Sequence, residues 1–197
     1  GGFTDSATPV IVADNQLLIQ SIEHGLQLLE VGEAGQTPAV GVVWQNHRLK
    51  RSYCSPIAYR DYIFSYSGRF LTCSLLETGE IQWKSRKPGE GFVIIVDDHL
   101  VVLTKRGALS IAETSPEGYI EKASIDLFSE LAWSSPSFYQ GSIYARNYGE
   151  VVRVSLRGSS EKVSELPLAA TAHESEFGRW VAEVEAAPVE MRAELAE

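Results

Sequence analysis

The chain has 197 residues, 44% hydrophobic and 22% charged, a globular composition that excludes a disordered chain. Its 17 lysines and arginines stand against 26 aspartates and glutamates, a net charge of −9 that argues against a general nucleic-acid binder. The longest apolar run, Phe92 to Val96, is far short of the roughly 20 residues a membrane-spanning helix needs. The acidity is concentrated late, with 9 acids and 3 bases in residues 159–197. The chain opens on Gly1 with neither an initiator Met nor an apolar targeting stretch, which fits a processed or excerpted piece.

Residues 7–158 read as short strands punctuated by tight turns. Val10-Ile11-Val12 and Leu17-Leu18-Ile19 flank Asp14-Asn15, and Tyr62-Ile63-Phe64 follows Arg60-Asp61. Phe92 to Val96 and Leu100 to Leu103 flank Asp97-Asp98, and Gln140-Gly141 marks a further turn. Two-residue connections between β-branched and aromatic runs are the mark of hairpins, and helical period is absent throughout. This part is expected to be all-β.

The strands repeat. Thr8-Pro9-Val10, Ser55-Pro56-Ile57, Gly91-Phe92-Val93 and Ser135-Pro136-Ser137 open successive copies, and each copy reaches a glycine: Gly25, Gly68, Gly107 and Gly149, spaced by 43, 39 and 42 residues. After each glycine comes another strand: Leu26 to Val31, Arg69 to Leu75, Ala108 to Ala112 and Glu150 to Leu156. The Ser/Thr-Pro opens a strand where proline costs no ladder bond, and the glycine turns the second hairpin through a positive φ. A four-stranded module of this length buries one face only against a neighbour, so it predicts a β-propeller of about four four-stranded antiparallel blades, part of a larger propeller. A β-sandwich with coincidental spacing is the alternative.

Beyond residue 158 the pattern changes. Residues 157–173 read as a linker, and Phe177, Trp180, Val181 and Val184 form one apolar stripe at helical spacing, predicting an acidic helix over 176–187 with Ser175 as N-cap. The division expected is therefore propeller repeats over 1–158 and a linker with an amphipathic helical tail over 159–197. That helix either packs on its own domain or docks a partner.

Within the second copy, Cys73-Ser74-Leu75-Leu76-Glu77-Thr78-Gly79-Glu80-Ile81-Gln82-Trp83 resembles the tryptophan-docking motif of quinoprotein-like propellers, the pyrrolo-quinoline quinone repeat family. Thr78, Gly79 and Trp83 match, whereas Cys73 and Leu75 replace the usual Ala and Asp; Trp44 ends the first copy comparably, 39 residues earlier, across an insertion at Gly35 to Pro38. The resemblance implies that Trp83 lies on the outermost strand of its blade, is buried against the next blade, and donates its ring N–H to a backbone carbonyl there. Trp133, with no Thr-Gly before it, is expected near the start of the fourth blade instead. The family contains periplasmic dehydrogenases, which use a Ca²⁺-bound quinone, an Asp base and often a vicinal Cys-Cys ring. It also contains non-catalytic members such as the lipoprotein of the outer-membrane β-barrel assembly machinery, and so implies an extracytoplasmic location. This chain has no Cys-Cys pair, and Asp97-Asp98 reads as a hairpin turn, since Asp is a turn former. The resemblance therefore implies a non-catalytic repeat module for protein binding or scaffolding, with no cofactor; a segment of a quinone-dependent dehydrogenase is the alternative.

Chemistry-bearing motifs are sparse. His24, His47, His99 and His173 are scattered without metal-ligand spacing, and nucleophile-elbow, Walker and dinucleotide patterns are absent, so no catalytic or metal residue is assigned. Cys54 and Cys73 are either a single disulfide or two buried thiols. Arg48, Lys50 and Arg51 follow Trp44 as Lys84, Arg86 and Lys87 follow Trp83, at the same point of the repeat. These six charges are expected either to make one basic rim that docks an acidic partner segment or anionic ligand, or to be solvated loops. The partner expected is another protein or additional blades of the same longer chain.

Overall fold

The computed structural model describes residues 9–34 and 37–156, which form fifteen strands and, among the described residues, no helix. Strands β1 (Val10–Ala13), β2 (Gln16–Ser21), β3 (Gly25–Ala34) and β4 (Thr37–Asn46) make an antiparallel sheet whose spatial order is the chain order. The same meander recurs in β5 (Ile57–Tyr59), β6 (Tyr62–Ser67), β7 (Phe70–Leu75) and β8 (Ile81–Ser85), and again in β9 (Gly91–Val96), β10 (His99–Thr104), β11 (Ala108–Glu113) and β12 (Glu121–Asp126). The fourth sheet has three strands among the described residues: β13 (Ser137–Tyr139), β14 (Ser142–Arg146) and β15 (Val151–Ser155). The linker and the helix expected over 176–187, with Phe177, Trp180, Val181 and Val184, lie outside the described residues.

The turns carry the conformations that tight hairpins demand. Asp97 and Asp98 both have positive φ (44° and 63°), as do Gln140 and Gly141 (46° and 74°), the left-handed pair of a two-residue turn that matches strand twist. At the second turn of each sheet, Gly25, Gly68 and Gly107 have φ of 72°, 60° and 91°. Gly149 occupies the equivalent turn without a positive φ, which corrects the expectation for the fourth copy. There the Asn147 Oδ1 accepts the N–H groups of both Gly149 and Glu150 at 2.8 Å, so a side chain builds the turn that the backbone builds elsewhere.

Alternation gives each sheet two faces, and cross-strand rows connect them. The row Val10–Leu18–Leu28–Trp44 runs through all four strands of the first sheet and packs on Ala58, Ile63, Leu76 and Ile81 of the second. The row Ile57–Phe64–Cys73–Trp83 of the second packs on Val93, Leu100, Val102 and Ala112 of the third. Val101, Leu103 and Leu109 then meet Ile143 and Ala145 of the fourth. Each large apolar side chain buried this way contributes about 1.5–3 kcal/mol, so the stack is held by successive sheet-on-sheet interfaces. Consecutive four-stranded meanders packed face to face are the blades of a propeller.

The opposite row of the first sheet, Ile11–Leu17–Leu29–Val42, is also wholly apolar, yet Ile11 is 76% and Val42 57% exposed. Its equivalents in the second sheet, Ala58–Ile63–Ser74–Ile81, are the residues turned toward the first.

Candidate functional site

Each sheet has two ladder ends: one carries the Asp14-Asn15, Arg60-Asp61, Asp97-Asp98 and Gln140-Gly141 turns, the other the glycine turns and the crossings to the next sheet. Side-chain charge divides between them. Among the described residues, the glycine-turn ends and crossings hold ten bases and five acids, and the opposite ends hold eleven acids and two bases. Charges sharing an end reinforce one another's potential, so the glycine-turn ends carry a positive bias despite the protein's net acidity.

All six of the basic residues singled out in the sequence lie at the glycine-turn ends, in two clusters. In the first crossing, Arg48 and Lys50 are exposed, while Arg51 stacks its guanidinium 5.6 Å from the Tyr53 ring centre and donates its backbone N–H to the Ser21 carbonyl. Ser67 ties this crossing to the second sheet: it accepts the Lys50 N–H at 3.1 Å and donates its hydroxyl to the Arg48 carbonyl at 3.2 Å. At the end of β8, Lys84 and Arg86 both lie over the Phe70 ring, at 4.8 and 5.3 Å, with Lys87 exposed beside them.

Of these six, only Arg86 lines the groove of about 660 Å³ between the second and third sheets; Arg69, Phe70, Glu90, Lys105, Arg106 and Asp126 line it too. Arg69 follows the Gly68 turn and Arg106 precedes the Gly107 turn, so the two hairpins present guanidinium groups from facing sheets. Both residues went unnoticed in the sequence, although each adjoins a repeat glycine. At one end of the groove Lys105 pairs with Glu90 and places its ammonium 3.8 Å from the centre of the Trp133 ring and 5.3 Å from that of Tyr53. The two aromatic rings are 5.2 Å apart, and Phe92 meets Trp133 edge-on at 6.3 Å. Tyr53 remains 65% and Trp133 40% exposed, leaving an amphipathic aromatic pair open to solvent. Trp133 lies in the crossing that leads into β13.

The two docking-motif tryptophans sit on the outermost strands of their sheets. Trp44 donates its ring N–H to the Leu76 carbonyl at 2.9 Å, and Trp83 donates to the Ser115 carbonyl at 2.7 Å, in each case a residue 32 positions ahead on the next sheet. Sheet twist swings the end of an outermost strand onto the following sheet, so each ring closes an interface. The Trp44 ring lies against Gly79, where a Cβ would stand 2.5 Å from its Cε3, and Asn46 donates to the Gly79 carbonyl at 2.7 Å. Thr78 is exposed and its Oγ1 accepts the Glu80 N–H, shaping the same turn.

The two cysteines are held as neutral thiols. Cys54 and Cys73 are free, buried thiols. Burial pushes the Cys54 pKa up to about 11, partly offset by the N–H of Val93, and burial pushes Cys73 up to about 12. A thiol of this kind stays protonated and unreactive at neutral pH. Asp97 and Asp98 form a turn in which Asp98 pairs with Arg60 at 2.9 Å, both exposed. Among the described residues no three His, Cys, Asp or Glu side chains gather as a metal cluster, and no helix is long and apolar enough to cross a membrane.

No protein-family model matches the chain, and no curated protein matches it in sequence. Solved structures match its fold. The computationally designed Ika8 protein superposes with a TM-score of 0.61 at 10% identity over 79% of this chain and 47% of its own. BamB from Moraxella catarrhalis does so with 0.53 at 16% identity, over 79% and 45%. The designed Ika4 protein gives 0.58 at 9% identity, over 79% and 94%. This chain thus spans under half the length of Ika8 and BamB and nearly all of Ika4. The likeness is one of fold: the described residues are all-β, a β-propeller array of antiparallel blades.

Proposed function

We propose that the chain is a non-catalytic propeller repeat module of the pyrrolo-quinoline quinone repeat type, which binds or scaffolds another protein through its glycine-turn ends. Residues 1–158 are the propeller part and 159–197 the linker and tail. The observation that carries this is the division of charge between the ladder ends, together with the exposed Tyr53 and Trp133 at the basic end. Arg, Tyr and Trp are the side chains that dominate protein interfaces, and a basic surface steers an acidic partner. Two further features support the family reading: the parallel hydrogen bonds of Trp44 and Trp83 onto the following blade, and the fold shared with BamB. The same resemblance favours an extracytoplasmic location. The first blade's open apolar row, Ile11–Leu17–Leu29–Val42, supports an additional blade of a longer chain packed against it, since equivalent residues of the second blade pack in that way.

The test uses photo-crosslinkers placed at Lys50 and Lys87, and at Glu77 and Glu117 on the opposite ends, in the native cell extract. The same partner should be captured from the first two sites and not the second two, and K50E/K87E should abolish it when the crosslinker is moved to Ser52. Site-independent capture overturns the reading. So does titration with pyrrolo-quinoline quinone and Ca²⁺ that yields the absorbance of a reconstituted quinoprotein.

A further inference from the structure

Resting on the proposed role of the basic ends, we propose that the groove between the second and third blades holds an extended acidic peptide segment of the partner, with an apolar side chain of that segment seated on Tyr53 and Trp133. Three guanidinium groups point to an anionic occupant. Arg69, Arg86 and Arg106 line the groove, all exposed, and among the described residues none makes an ion pair with a carboxylate. Lys105 is different: Glu90 already neutralises it, and its ammonium is spent on the two rings. Lys105 therefore fixes the aromatic pair rather than serving as a free cation.

The charges are spread over two blades, which suits an extended chain with more than one carboxylate. Arg69 and Arg106 stand on hairpins of facing blades, and stacked sheets lie about 10 Å apart. That span equals about three residues of extended chain, whose side chains at i and i+3 point to opposite faces, so carboxylates there turn one toward each wall. The groove's volume of about 660 Å³ suits several residues of a peptide. The aromatic surroundings discriminate against a small anion. Phe70 on the lining, and Tyr53 and Trp133 next to it around Lys105, offer aromatic surface beside the charges, and an inorganic anion gains nothing from it. Asp126 on the lining repels a uniformly charged polyanion and favours a segment in which acids alternate with neutral residues.

Fluorescence anisotropy on the full chain tests this with two labelled eight-residue peptides. One carries glutamates three residues apart with a leucine and a phenylalanine between them, and the other replaces each glutamate by glutamine. The acidic peptide is expected to bind at least about tenfold more tightly than its glutamine form. R69A/R106A should remove that preference and flatten the salt dependence, W133A should weaken both peptides several-fold, and E77Q/E117Q on the opposite ends should change nothing. Equal binding of the two peptides overturns the proposal, as does retention of the preference in R69A/R106A. Inorganic phosphate that displaces the peptide at equal charge would show a simple anion site and also overturns it. So does an oligouridylate that binds more tightly than the peptide. A partner crosslink lost in K50E/K87E but unaffected by R69A/R106A removes the groove while leaving the wider scaffold reading standing. If neither variant alters that crosslink, both fall.

Discussion

Substituting Gly79 by alanine tests how the blades are joined. Gly79 has φ +70°, and an added Cβ would stand 2.5 and 2.6 Å from two carbons of the Trp44 ring. Two costs follow. The left-handed backbone costs an alanine about 1–2 kcal/mol. The ring must also withdraw, which breaks the bond from its N–H to the Leu76 carbonyl, and leaving a half-buried donor without a partner costs about 1–3 kcal/mol. The sum is about 2–5 kcal/mol. Gly68 supplies the control, for its φ is +60° but nothing lies within 4 Å of a Cβ there, so G68A carries the backbone cost alone. Urea unfolding measures both, and G79A should lower stability by about 1–3 kcal/mol more than G68A at an unchanged m-value. In a W44L background, where the ring is gone, G79A should cost no more than G68A. Equal costs for the two glycine variants in the wild-type chain, or the same cost of G79A in both backgrounds, would refute the contact between Trp44 and Gly79 as a stabilising interface.

Three further outcomes are expected. Trp83→Phe keeps a ring against Phe64 but loses the N–H donor to Ser115, and should cost about 1 kcal/mol against about 3 for Trp83→Ala; equal losses in urea unfolding would show that ring packing contributes little. Above a pH of about 9 the unfolded thiols ionise while buried Cys54 and Cys73 stay protonated to about 11 and about 12, so stability should fall with rising pH by up to about 1.4 kcal/mol per unit for each thiol. Unfolding midpoints of C54A/C73A over the same range should fall less steeply, and parallel slopes would refute it. Asp97 and Asp98 have left-handed backbones that Asn-Gly adopts at lower cost, so D97N/D98G should raise the melting temperature, with a gain of up to about 1 kcal/mol reduced by loss of the exposed Arg60–Asp98 pair; a lowered melting temperature would show that the aspartates do more than turn the chain.

What the sequence made legible is what recurs along it. The glycines that turn Gly68-Arg69 and Arg106-Gly107, the Asp97-Asp98 turn and the proline at position 56 each act within a few residues, so spacing alone exposes a repeated sheet. Trp44 and Trp83 are readable for the same reason, since each occupies one repeat position and bonds 32 residues ahead. The groove was not readable as a unit. Arg106 meets Phe70 and Arg86 of the second blade only after one blade has been stacked on the next, and Tyr53 and Trp133, each two residues before a Ser-Pro opener, converge on Lys105 of the third copy from different crossings. No periodicity marks such a meeting, because it depends on the rotation between blades rather than on either blade. Copy four hid its turn differently: Asn147 supplies through its side chain the bonds that glycine supplies through backbone freedom, so a matching glycine at 149 stands in the right turn for another reason.

The positions that carry function follow from those that cannot. Residues of the inner strands between two blades have their size and polarity set by packing; Phe64, Leu71, Leu100 and Val102 are wholly buried in this way. Ladder ends escape that constraint, and every added blade contributes one end of each kind in the same orientation. A bias placed at the same end of successive blades therefore adds up instead of cancelling, as Arg69 beside Gly68 and Arg106 beside Gly107 do in the second and third. Aromatic side chains that would be absorbed by a core if placed within a strand can stay open at a crossing, where Tyr53 and Trp133 are held by an ammonium that Glu90 already balances. The repeat thus separates the residues that hold the fold from those free of it, which is why the proposed recognition surface is placed at the basic, aromatic end.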